Sequence, residues 1–402
     1  MRPLLIILTL LLLPIRTGAE LLRGFYTEGV IPAQGFVTSL AVDAAGRLHY
    51  TTGDGGVYRV EDSESILVAF VETAFEGNMA LLGMNFAPDG AIVVHSVSPD
   101  KSADVISTVD PNTGEITETA RFYCARNCPT EHHGGNPIVA PDGSIYVAIG
   151  DLGVPTTAQR HDLPGGKLFR ITPEGAVFKL ARGLRNPYDL AWDGAGHRII
   201  FTDNGVQGGD ELNFYPLDAE EELDYGWPNT MGDAPPAADS VAPVYVFPST
   251  IAPTGMWLLT GNTRILRKGL LVAGFVTGSI DYFPSLDLPI GAPIRLVEGT
   301  ERVMDVVETR SGEIYYATIS AIRRLQIPMP GDANGDGVVN LDDLAALAAE
   351  ITDGDGDVTF EAQKGQYPGC WGADVNEDGR IDWADYSALT YMLGGRMRGA
   401  RR

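Results

Sequence analysis

The sequence has few basic residues and few cysteines, and beyond its first residues it has no long hydrophobic run. It holds 29 lysines and arginines against 53 aspartates and glutamates, a net charge of −24. Phosphate binding requires a basic surface, so this shortage argues against nucleic acids and anionic membranes as partners. The lack of a later apolar run of bilayer length predicts that no segment after the N-terminus spans a membrane. The acidic excess favours calcium as a bound ion.

The N-terminal residues have the pattern of a secretory signal peptide. Arg2 supplies a positive charge, residues 4–14 form an apolar run too short to cross a bilayer, and residues 17–19 offer small side chains for cleavage before Glu20. A short membrane anchor is the alternative. We therefore exclude residues 1–19 from the fold and expect a secreted protein, whether extracellular, on the cell surface or periplasmic.

Export makes a disulfide possible for the few cysteines present. Cys124 and Cys128 are close enough in sequence to be joined across a small loop, which leaves Cys370. The chain contains no Cys-x-x-Cys-His sequence, so the attachment motif of c-type haem is missing.

Glycine and proline are abundant, and the apolar residues come in short runs. The chain holds 48 glycines, 26 prolines and 44% hydrophobic residues, which favours many short strands joined by tight turns. Strand, turn and strand patterns recur at 40–52, 84–97, 137–150, 190–203, 264–276 and 305–319. Most are followed by another short strand, so the repeat predicts an all-β fold of six four-stranded sheets, a six-bladed β-propeller over residues 20–327. A β-sandwich or an irregular all-β domain is the alternative.

The functional residues of a propeller are expected on loops from several blades that meet at one end of the central channel. Two polar, glycine-rich segments fit this expectation. In residues 131–136, His132 and His133 precede two glycines, which suits a general base that a substrate can approach closely. In residues 183–187, Arg185 is suited to stabilise developing negative charge. A structural histidine and an ordinary salt-bridged arginine are the alternatives.

A third segment carries carboxylates beside a glycine-rich turn. Residues 203–213 combine Asp203, Asp210 and Glu211 with backbone carbonyls that the glycines leave free to point at a cation. Hard oxygen ligands of this kind suit calcium. The aromatic-rich turn at 224–228 is expected to close the same site, and a solvated acidic turn is the alternative.

These segments together carry a family resemblance over most of residues 20–327. The chain contains, in order, HHGGNPIVAPDGSIYVAIGD, GGKLFRI, GLRNPYDLAWD, DNGVQGGDELN and DYGWP, with ALLGMNFAPDG, IAPTGM and RVMDV as further landmarks. It thereby resembles the soluble aldose dehydrogenases, the glucose and sorbosone dehydrogenases that use pyrroloquinoline quinone (PQQ). The resemblance implies an oxidoreductase that transfers hydride from C1 of a sugar to PQQ, with Ca²⁺ holding and polarising the cofactor.

The resemblance also implies roles for individual residues. His132, which opens the His-x-Gly-Gly motif, would be the general base, and Arg185 would stabilise the oxyanion of the reduced cofactor. The implied contacts are Arg185, Asn186 and Arg302 for the cofactor, Asn78 and Glu131 for the substrate, and Gly205, Val206, Asp210, Glu211 and Tyr225 for calcium.

Two positions depart from the family pattern. Val276 stands where the best-known glucose dehydrogenases have a lysine over the cofactor. Those enzymes also have a pair of arginines in an Arg-x-Arg-Asp motif, and this chain has Arg302 and Met304 at the two positions. Each missing charged hydrogen bond is worth about 1.5–3 kcal/mol, so PQQ binding is expected to be weaker. A non-catalytic propeller that has lost PQQ and binds carbohydrate or protein is therefore the alternative function. A hydrolase that uses only the calcium site is a third.

Past a short stiff linker at 328–331, two acidic loops repeat one ligand pattern. Each has oxygen-bearing side chains at positions 1, 3, 5, 9 and 12 and a glycine at position 6, the arrangement that wraps a chain around calcium. The predicted ligands are Asp332, Asn334, Asp336, Asn340 and Asp343 in the first loop, and Asp374, Asn376, Asp378, Asp382 and Asp385 in the second. The aspartate at position 12 and a following helix such as 344–350 resemble the duplicated repeat of dockerins. We therefore expect a small α-helical, EF-hand-like module over 332–395.

Dockerins bind cohesins, so this resemblance implies attachment to a cohesin-bearing scaffold or cell-surface protein. Without metal the acidic clusters would repel each other, which predicts that the module folds only with calcium bound. Asp353, Asp355 and Asp357 imitate a third loop, but Val358 stands where a glycine is needed, and we assign that stretch to a linker. Residues 396–402 are expected to be a basic, solvated tail.

Overall fold

The structure of the protein is a computed structural model that describes residues 20–21, 25–124, 127–206, 208–236, 239–261, 266, 268–299, 301–353, 370–378 and 380–399. The predicted signal peptide, the third acidic stretch beyond residue 353 and the last residues of the predicted tail lie outside these ranges. No helix in the described ranges is long and apolar enough to cross a bilayer.

The strands in these ranges form six sheets, most of them built from consecutive parts of the chain. The N-terminal strands are β1 (Glu20–Leu21) and β2 (Tyr26–Pro32). The first sheet contains β3 (Val37–Val42), β4 (Leu48–Thr52), β5 (Gly56–Glu61) and β6 (Glu64–Phe70). The second contains β7 (Leu81–Phe86), β8 (Ile92–Val97), β9 (Ala103–Val109) and β10 (Ile116–Tyr123). The third contains β11 (Ile138–Val139), β12 (Ile145–Ile149), β13 (Lys167–Ile171) and β14 (Val177–Arg182).

The remaining three sheets complete the domain. The fourth contains β15 (Leu190–Asp193), β16 (Arg198–Asp203), β17 (Glu211–Pro216) and β19 (Tyr245–Val246), while β18 (Leu223–Asp224) pairs in parallel with β14 of the third. The fifth contains β20 (Pro253–Leu259), β21 (Gly269–Gly274), β22 (Ser279–Phe283) and β23 (Ile294–Glu298), with β1 paired to β23. The sixth contains β24 (Val303–Glu308), β25 (Ile314–Thr318) and β26 (Ala321–Gln326).

The six sheets are arranged as blades around a central channel. The first strand of each sheet contacts the first strand of the next sheet, and β24 returns to β3, so the ring is closed. Neighbouring blades cover both faces of each sheet, and strands such as β8 and β21 are therefore buried along their whole length. Each buried Val, Leu or Ile side chain contributes about 1.5–3 kcal/mol, which drives this packing. The predicted six-bladed β-propeller is confirmed.

The N-terminal segment completes the last blade, which the sequence did not indicate. Strand β2 pairs antiparallel with β26, so residues 26–32 join a sheet that is otherwise built from residues 303–326. One predicted hairpin is wrong, because β21 is the only strand described within 264–276 and its antiparallel partner β20 lies upstream of that range. The other five predicted pairs lie in the first, second, third, fourth and sixth blades.

In the described ranges two α-helices follow the propeller, α1 (Asp342–Asp353) and α2 (Trp383–Gly399). A short 3-10 helix at Trp371–Ala373 lies between them, and another at Pro155–Gln159 lies in the third blade. The two α-helices and their preceding loops share one apolar cluster that includes Val339, Leu347, Val375, Ile381 and Leu389. Since α2 extends to Gly399, the first residues of the predicted tail belong to this helix.

The helical module contacts the propeller through Trp371. This side chain is buried, and its ring centroid lies 5.6 Å from that of Phe25 and 6.1 Å from that of Tyr282, both in edge-to-face geometry. Edge-to-face aromatic pairs contribute about 0.5–1.5 kcal/mol beyond the area that they bury. The module therefore rests on the propeller near β2 and β22.

Candidate functional site

His132 lies in the loop between β10 and β11 and contacts the loop that follows β12. Its Nδ1 is 2.7 Å from Oδ1 of Asp151, which is buried, while the His132 side chain is 17% exposed. The backbone at His132 has a φ of +54°, and its carbonyl accepts a hydrogen bond from Leu152 N at 3.3 Å. A carboxylate can only accept, so the proton of the neutral imidazole lies on Nδ1 and Nε2 is the basic nitrogen.

Asp151 is itself fixed by two further donors. Nε1 of Trp227 donates to its Oδ2 at 2.8 Å, and the backbone N of Gly153 donates to its Oδ1 at 2.8 Å. Both carboxylate oxygens are therefore occupied, and the orientation of the His132 ring is defined. No sequence pattern singled out Asp151, whose one signal is its position as a polar residue after a buried strand, and Trp227 was predicted only as part of a closing turn.

Arg185 joins this network from the loop before β15. Its Nη1 donates to the carbonyl of Asn204 at 2.7 Å, and its guanidinium carbon lies 5.6 Å from the ring centroid of Trp227. Its own carbonyl accepts from the backbone N of Asp151 at 2.7 Å. Trp227 thus makes two contacts. Its indole N–H donates to Asp151, the carboxylate that holds His132, and its ring face lies against Arg185. The structure brings His132 and Arg185 to one place.

The crossing of these loops requires a glycine at position 150. A Cβ on Gly150 would lie 2.3 Å from the carbonyl oxygen of His132 and 2.9 Å from that of Arg185. Beside this crossing, the Asp203 carboxylate accepts the backbone N–H groups of Arg185 at 2.8 Å and of Asn186 at 2.6 Å. Burial, together with the nearby charge of Glu211, raises the pKa of Asp203 well above its usual range.

The predicted calcium loop follows Asn204, between β16 and β17. Asp210 turns both of its carboxylate oxygens towards backbone N–H groups, with Gly205 donating to Oδ1 and Ile251 and Ala252 donating to Oδ2, each at 2.8 Å. Asp210 therefore braces the loop against the segment that enters the fifth blade. The other calcium ligands that the resemblance implies in this loop are the Gly205 and Val206 carbonyls and the Glu211 carboxylate.

Glu211 is buried at the start of β17. Its Oε1 accepts from the backbone N of Gly232, and its Oε2 accepts from Nδ2 of Asn213 at 3.1 Å. Burial raises the pKa of Glu211 to about 7, because the charged form has lost its water. Tyr225 is also buried, and its hydroxyl donates to the carbonyl of Phe214 in β17 at 2.7 Å. The Tyr225 hydroxyl is therefore engaged with the fourth blade.

The predicted substrate contacts flank His132. Asn78 is exposed, and its backbone N donates to the carbonyl of Thr130 at 2.8 Å, which ties the loop before β7 to the His132 loop. Glu131 is also exposed, and its side chain lies against Gly153, the residue that donates to Asp151. Both side chains are therefore accessible to solvent on loops that contact the His132 loop or Asp151.

The two departures from the family pattern occupy different environments. Arg302 places its guanidinium carbon 4.8 Å from the ring centroid of Phe275, next to Val276, which is partly exposed. Met304 is 3% exposed and packs in an apolar cluster with Val37 and Leu40. The Val276 position therefore has room for a longer polar side chain, whereas the Met304 position belongs to the core.

The donor set suits the cofactor and the metal that the resemblance implies. Glu211 and the loop carbonyls are hard oxygen donors for calcium, and the Arg185 and Arg302 guanidinium groups are suited to the carboxylates of PQQ. Among the described residues, the buried Oδ1 of Asn213 next to Glu211 has no hydrogen-bond partner. An orphaned buried oxygen beside a buried carboxylate fits the presence of a cation. The site holds fewer positive charges than the family pattern leads one to expect.

The second histidine of the motif has a different environment from the first. His133 is buried, with Nδ1 2.9 Å from Oδ1 of Asp104 and Nε2 2.7 Å from the carbonyl of Pro129. Both of its nitrogens therefore act as donors. Burial alone would lower the pKa of His133, but the charge and the hydrogen bond of Asp104 outweigh it and raise the pKa. His133 thus anchors the loop beside the Cys124–Cys128 disulfide, which the structure contains.

The two C-terminal loops repeat each other in their hydrogen bonds as well as in their sequence. In the first, the position-12 carboxylate of Asp343 accepts from the backbone N of Asn334 at 3.1 Å and of Asn340 at 2.7 Å. In the second, Asp385 accepts from Asn376 at 3.0 Å and Asp382 at 2.9 Å, which hold the same two positions.

The other predicted ligands of these loops follow the same rule. Asp332 and Asp374 at position 1 accept from the backbone N of Asp336 at 3.0 Å and of Asp378 at 3.1 Å, both at position 5. Each loop is thus wound around its own carboxylates. All ten predicted ligand side chains carry oxygen, which is the donor that calcium prefers.

Comparison with known protein families finds two matches along the chain. Residues 83–325 match the family model "Glucose / Sorbosone dehydrogenase", and residues 330–394 match the dockerin type I domain. The first match covers the loops of His132, Arg185 and Glu211, and the second covers both acidic loops. The two resemblances expected from the sequence are confirmed.

Individual proteins give a consistent result. The chain is 27% identical to an uncharacterized protein of Synechocystis sp. over 228 residues, which is 47% of this chain and 53% of that protein. It is 28% identical to quinoprotein glucose dehydrogenase B of Acinetobacter calcoaceticus over 202 residues, 39% of this chain and 41% of that protein. The chain therefore spans about half or less of the length of these curated relatives.

Solved structures agree on the fold. The PQQ-bound form of an aldose sugar dehydrogenase from Streptomyces coelicolor superimposes with a TM-score of 0.65 and 20% sequence identity, covering 78% of this chain and 99% of that one. At this level of identity the likeness establishes the propeller architecture, and the chemistry has to be argued from the residues of this chain.

Proposed function

The chain belongs to the glucose/sorbosone dehydrogenase family, and from this we propose that it is an exported PQQ- and calcium-dependent aldose dehydrogenase. The observation that carries the proposal is the pairing of His132 with Asp151. A bond of 2.7 Å at Nδ1 leaves Nε2 without a partner among the described residues, on a side chain that is partly open to solvent. A base with a fixed tautomer, backed by a carboxylate, is the group that oxidation of an alcohol carbon requires.

The reaction removes a hydride and a proton from one carbon and its hydroxyl group. Nε2 of His132 accepts the proton of the C1 hydroxyl as the C1–H bond breaks, and the sugar leaves as the lactone. When bound, PQQ supplies the hydride acceptor. The Arg185 guanidinium offers a positive charge where negative charge develops, and Asp151 stabilises the imidazolium that His132 becomes.

The chain offers two sets of groups for the cofactor and its metal. We assign Arg185, Asn186 and Arg302 to PQQ, and the Gly205 and Val206 carbonyls with Glu211 to calcium, with Asp210 and Tyr225 beside them. Asn78 and Glu131 are assigned to the sugar. Asp210 also braces the loop, since its two oxygens accept the backbone N–H groups of Gly205, Ile251 and Ala252.

The C-terminal module is assigned the role of a tether. Its dockerin match and its two wound loops support binding of calcium and of a cohesin on a scaffold or at a cell surface. Attachment of this kind places the enzyme outside the cell, in line with the N-terminal signal pattern.

A second function is favoured by one specific observation. Val276 and Met304 replace two expected cationic contacts, and Met304 is part of the core. A propeller that has lost PQQ would keep the fold and bind carbohydrate or protein at the same channel mouth.

Titration calorimetry of the calcium-loaded protein with PQQ, followed by turnover of aldoses with a dye as electron acceptor, separates the two functions. The dehydrogenase requires PQQ binding and turnover, with turnover lost in His132→Ala while PQQ binding remains. Binding of PQQ without turnover of any aldose would rule out the assigned activity. No PQQ binding would overturn the dehydrogenase and leave the binding propeller as the function to test.

A further inference from the structure

Gln159 is a half-buried residue at the end of the 3-10 helix in the loop between β12 and β13, the loop that also holds Asp151. Its Nε2 donates to the carbonyl of Trp227 at 2.8 Å and to Oδ1 of Asp224 at 2.9 Å. Its Oε1 accepts from Nε of Arg182 at 3.2 Å. A flipped amide would point its donors at the guanidinium, so these partners define the orientation of the side chain.

Arg182 and Asp224 close this group of side chains. Nε of Arg182 also donates to Oδ2 of Asp224 at 3.1 Å, and the two residues lie opposite each other where β18 pairs with β14. Gly183 leaves room for the contact, since a Cβ there would lie 2.3 Å from Oδ1 of Asp224 and 3.0 Å from Nε2 of Gln159. The segment that leads from β18 to Trp227 is therefore bound to the third blade.

The 3-10 helix that carries Gln159 is itself held from inside the third blade. Nζ of the buried Lys167 donates to the carbonyls of Thr157 at 2.9 Å and Ala158 at 3.0 Å, two residues of this helix. Oγ1 of Thr157 donates in turn to the carbonyl of Asp151 at 2.8 Å. Gln159 therefore extends from a short element that is fixed to Lys167 and to Asp151.

These contacts join Trp227 to one loop at two points. Its indole N–H donates to Oδ2 of Asp151 at 2.8 Å, and its carbonyl accepts from Gln159 further along the same loop. With the backbone of Trp227 held in this way, the indole N–H is aimed at the Asp151 carboxylate. The carboxylate that holds Nδ1 of His132 thus depends on Gln159 through Trp227.

We propose that Gln159 is a positioning residue for the base His132, an inference that rests on the dehydrogenase function proposed above. It holds the backbone of Trp227 so that the indole N–H stays on Asp151. A glutamine suits this place because one amide donates to a carbonyl and a carboxylate and accepts from a guanidinium. A carboxylate of the same shape has no donor for Trp227 and is repelled by Asp224. The effect on catalysis is indirect, because displacement of a catalytic group by about 1 Å costs up to about 10²-fold in rate.

The test follows the indole N–H signal of Trp227 by nuclear magnetic resonance in the full-length, calcium-loaded protein without PQQ or sugar. The chain has five tryptophans, and Trp227→Phe identifies the signal by its loss. Gln159→Met keeps the length of the side chain and removes its hydrogen bonds. Exchange of the Trp227 N–H with solvent should become about fivefold faster, since loss of one hydrogen bond shifts such an opening equilibrium by about 2- to 10-fold. Gln34→Met, at an exposed glutamine between β2 and β3, is the matched control and should leave the exchange unchanged.

Turnover measures whether this positioning reaches the base. With saturating PQQ, Gln159→Met should lower kcat by about fivefold or more. The KM for the aldose should change much less, because Asn78 and Glu131, which are assigned to the sugar, are untouched. A purely structural role would lower the thermal midpoint and leave both kcat and the Trp227 exchange rate at their wild-type values.

A second variant keeps the test decisive if Gln159→Met does not fold. Gln159→Glu retains an acceptor for Arg182 and removes the same donors to Trp227 and Asp224, so faster exchange and a lower kcat are expected again. An unchanged Trp227 exchange rate in a folded variant overturns the proposal, and so does faster exchange with an unchanged kcat. If the wild type turns over no aldose, the dehydrogenase function fails, and the exchange rates alone decide whether Gln159 holds Trp227.

Discussion

His132 and His133 are neighbours in the sequence, yet their Nδ1 atoms bind different carboxylates, Asp151 at 2.7 Å and Asp104 at 2.9 Å. The first side chain is partly exposed and keeps Nε2 available as a base. The second is buried and uses both nitrogens to hold its loop. His133 therefore has a structural task, the chemical task is the one proposed for His132, and substitutions at their partners should separate the two.

Asp151→Asn should lower turnover while leaving the fold intact. The amide has nearly the same shape, but it neither fixes the Nδ1 proton nor stabilises the imidazolium. We expect kcat to fall by about 10²-fold or more, since a positioned general base contributes about 10²–10⁴-fold. Steady-state kinetics with saturating PQQ measures the effect, and Asp142→Asn on the β11–β12 turn is the matched control. An unchanged kcat would remove Asp151 from the mechanism.

Trp227→Phe should lower turnover without loss of its contact with Arg185. The phenyl ring keeps an aromatic face under the guanidinium but has no N–H for Asp151. A hydrogen bond to a charged group is worth about 1.5–3 kcal/mol, so kcat should fall by about 10- to 100-fold if the bond acts fully on the base. Trp383→Phe, on the exposed face of α2, serves as the control. Equal kcat values for Trp227→Phe and Trp383→Phe would contradict a role of the Trp227 N–H in holding Asp151.

Val276→Lys should strengthen PQQ binding, whereas Met304→Arg should destabilise the propeller. Val276 is partly exposed beside Phe275 and Arg302, so a lysine there has room, and the carboxylates of bound PQQ would be its partner. One charge-assisted bond should lower the Kd for PQQ by about tenfold or more. Met304 lies in the core, where an unpaired charge has no partner. Calorimetry and thermal midpoints measure the two effects, and an unchanged Kd for Val276→Lys would exclude contact with the cofactor.

The stability of the propeller should depend on His133 in a defined pH window. Because Asp104 raises the pKa of His133 in the folded protein above its ordinary value of 6.5, the folded state holds the proton more tightly than the unfolded state. The stabilisation of the folded state by the His133–Asp104 pair is complete below about pH 6.5, the ordinary pKa of the unfolded histidine. It is lost as pH rises through the higher pKa of the folded state. The fall in thermal midpoint over this window should be smaller in His133→Gln. If the thermal midpoints of the wild type and of His133→Gln fell equally over this window, the His133–Asp104 pair would not contribute to stability.

Asp343→Ala should unfold the first calcium loop, while Asp342→Ala should not. Asp343 holds position 12 and is fully buried, whereas Asp342 is exposed at the start of α1. Loss of a position-12 carboxylate weakens calcium binding, and folding of such loops depends on the metal. Hydrogen exchange in calcium should show α1 unprotected in the first variant and protected in the second. Protection of α1 in both variants, or in chelator, would contradict metal-dependent folding.

Much of the fold could be predicted because the signals for it are local. Alternating apolar residues and Asp-Gly turns define a hairpin within a dozen residues, and five of the six predicted hairpins have their strands in place. The sixth failed because residues 264–276 were read as a hairpin of their own, whereas both antiparallel partners of β21, β20 and β22, lie outside that range. The two acidic loops of the dockerin match were equally readable, since the predicted ligands of each fall within twelve residues.

The side-chain contacts of the candidate site could not be predicted from local sequence patterns. Trp227 reaches Asp151 across 76 positions of sequence, and Gln159 reaches Trp227 across 68. Neither Asp151 nor Trp227 belongs to a pattern that marks it as a partner of His132. Such pairs depend on which loops a closed ring of blades brings together.

By itself, the sequence determined the repeated blade and the dockerin-type repeat of two acidic loops, because each depends on residues within a short stretch of chain. Only the tertiary structure decided which carboxylate serves which histidine, how β2 completes the last blade, and that Asp151 and Gln159 both bind Trp227. The physical reason is that ring closure sets distances between distant segments, and burial then decides which polar groups must find a partner there.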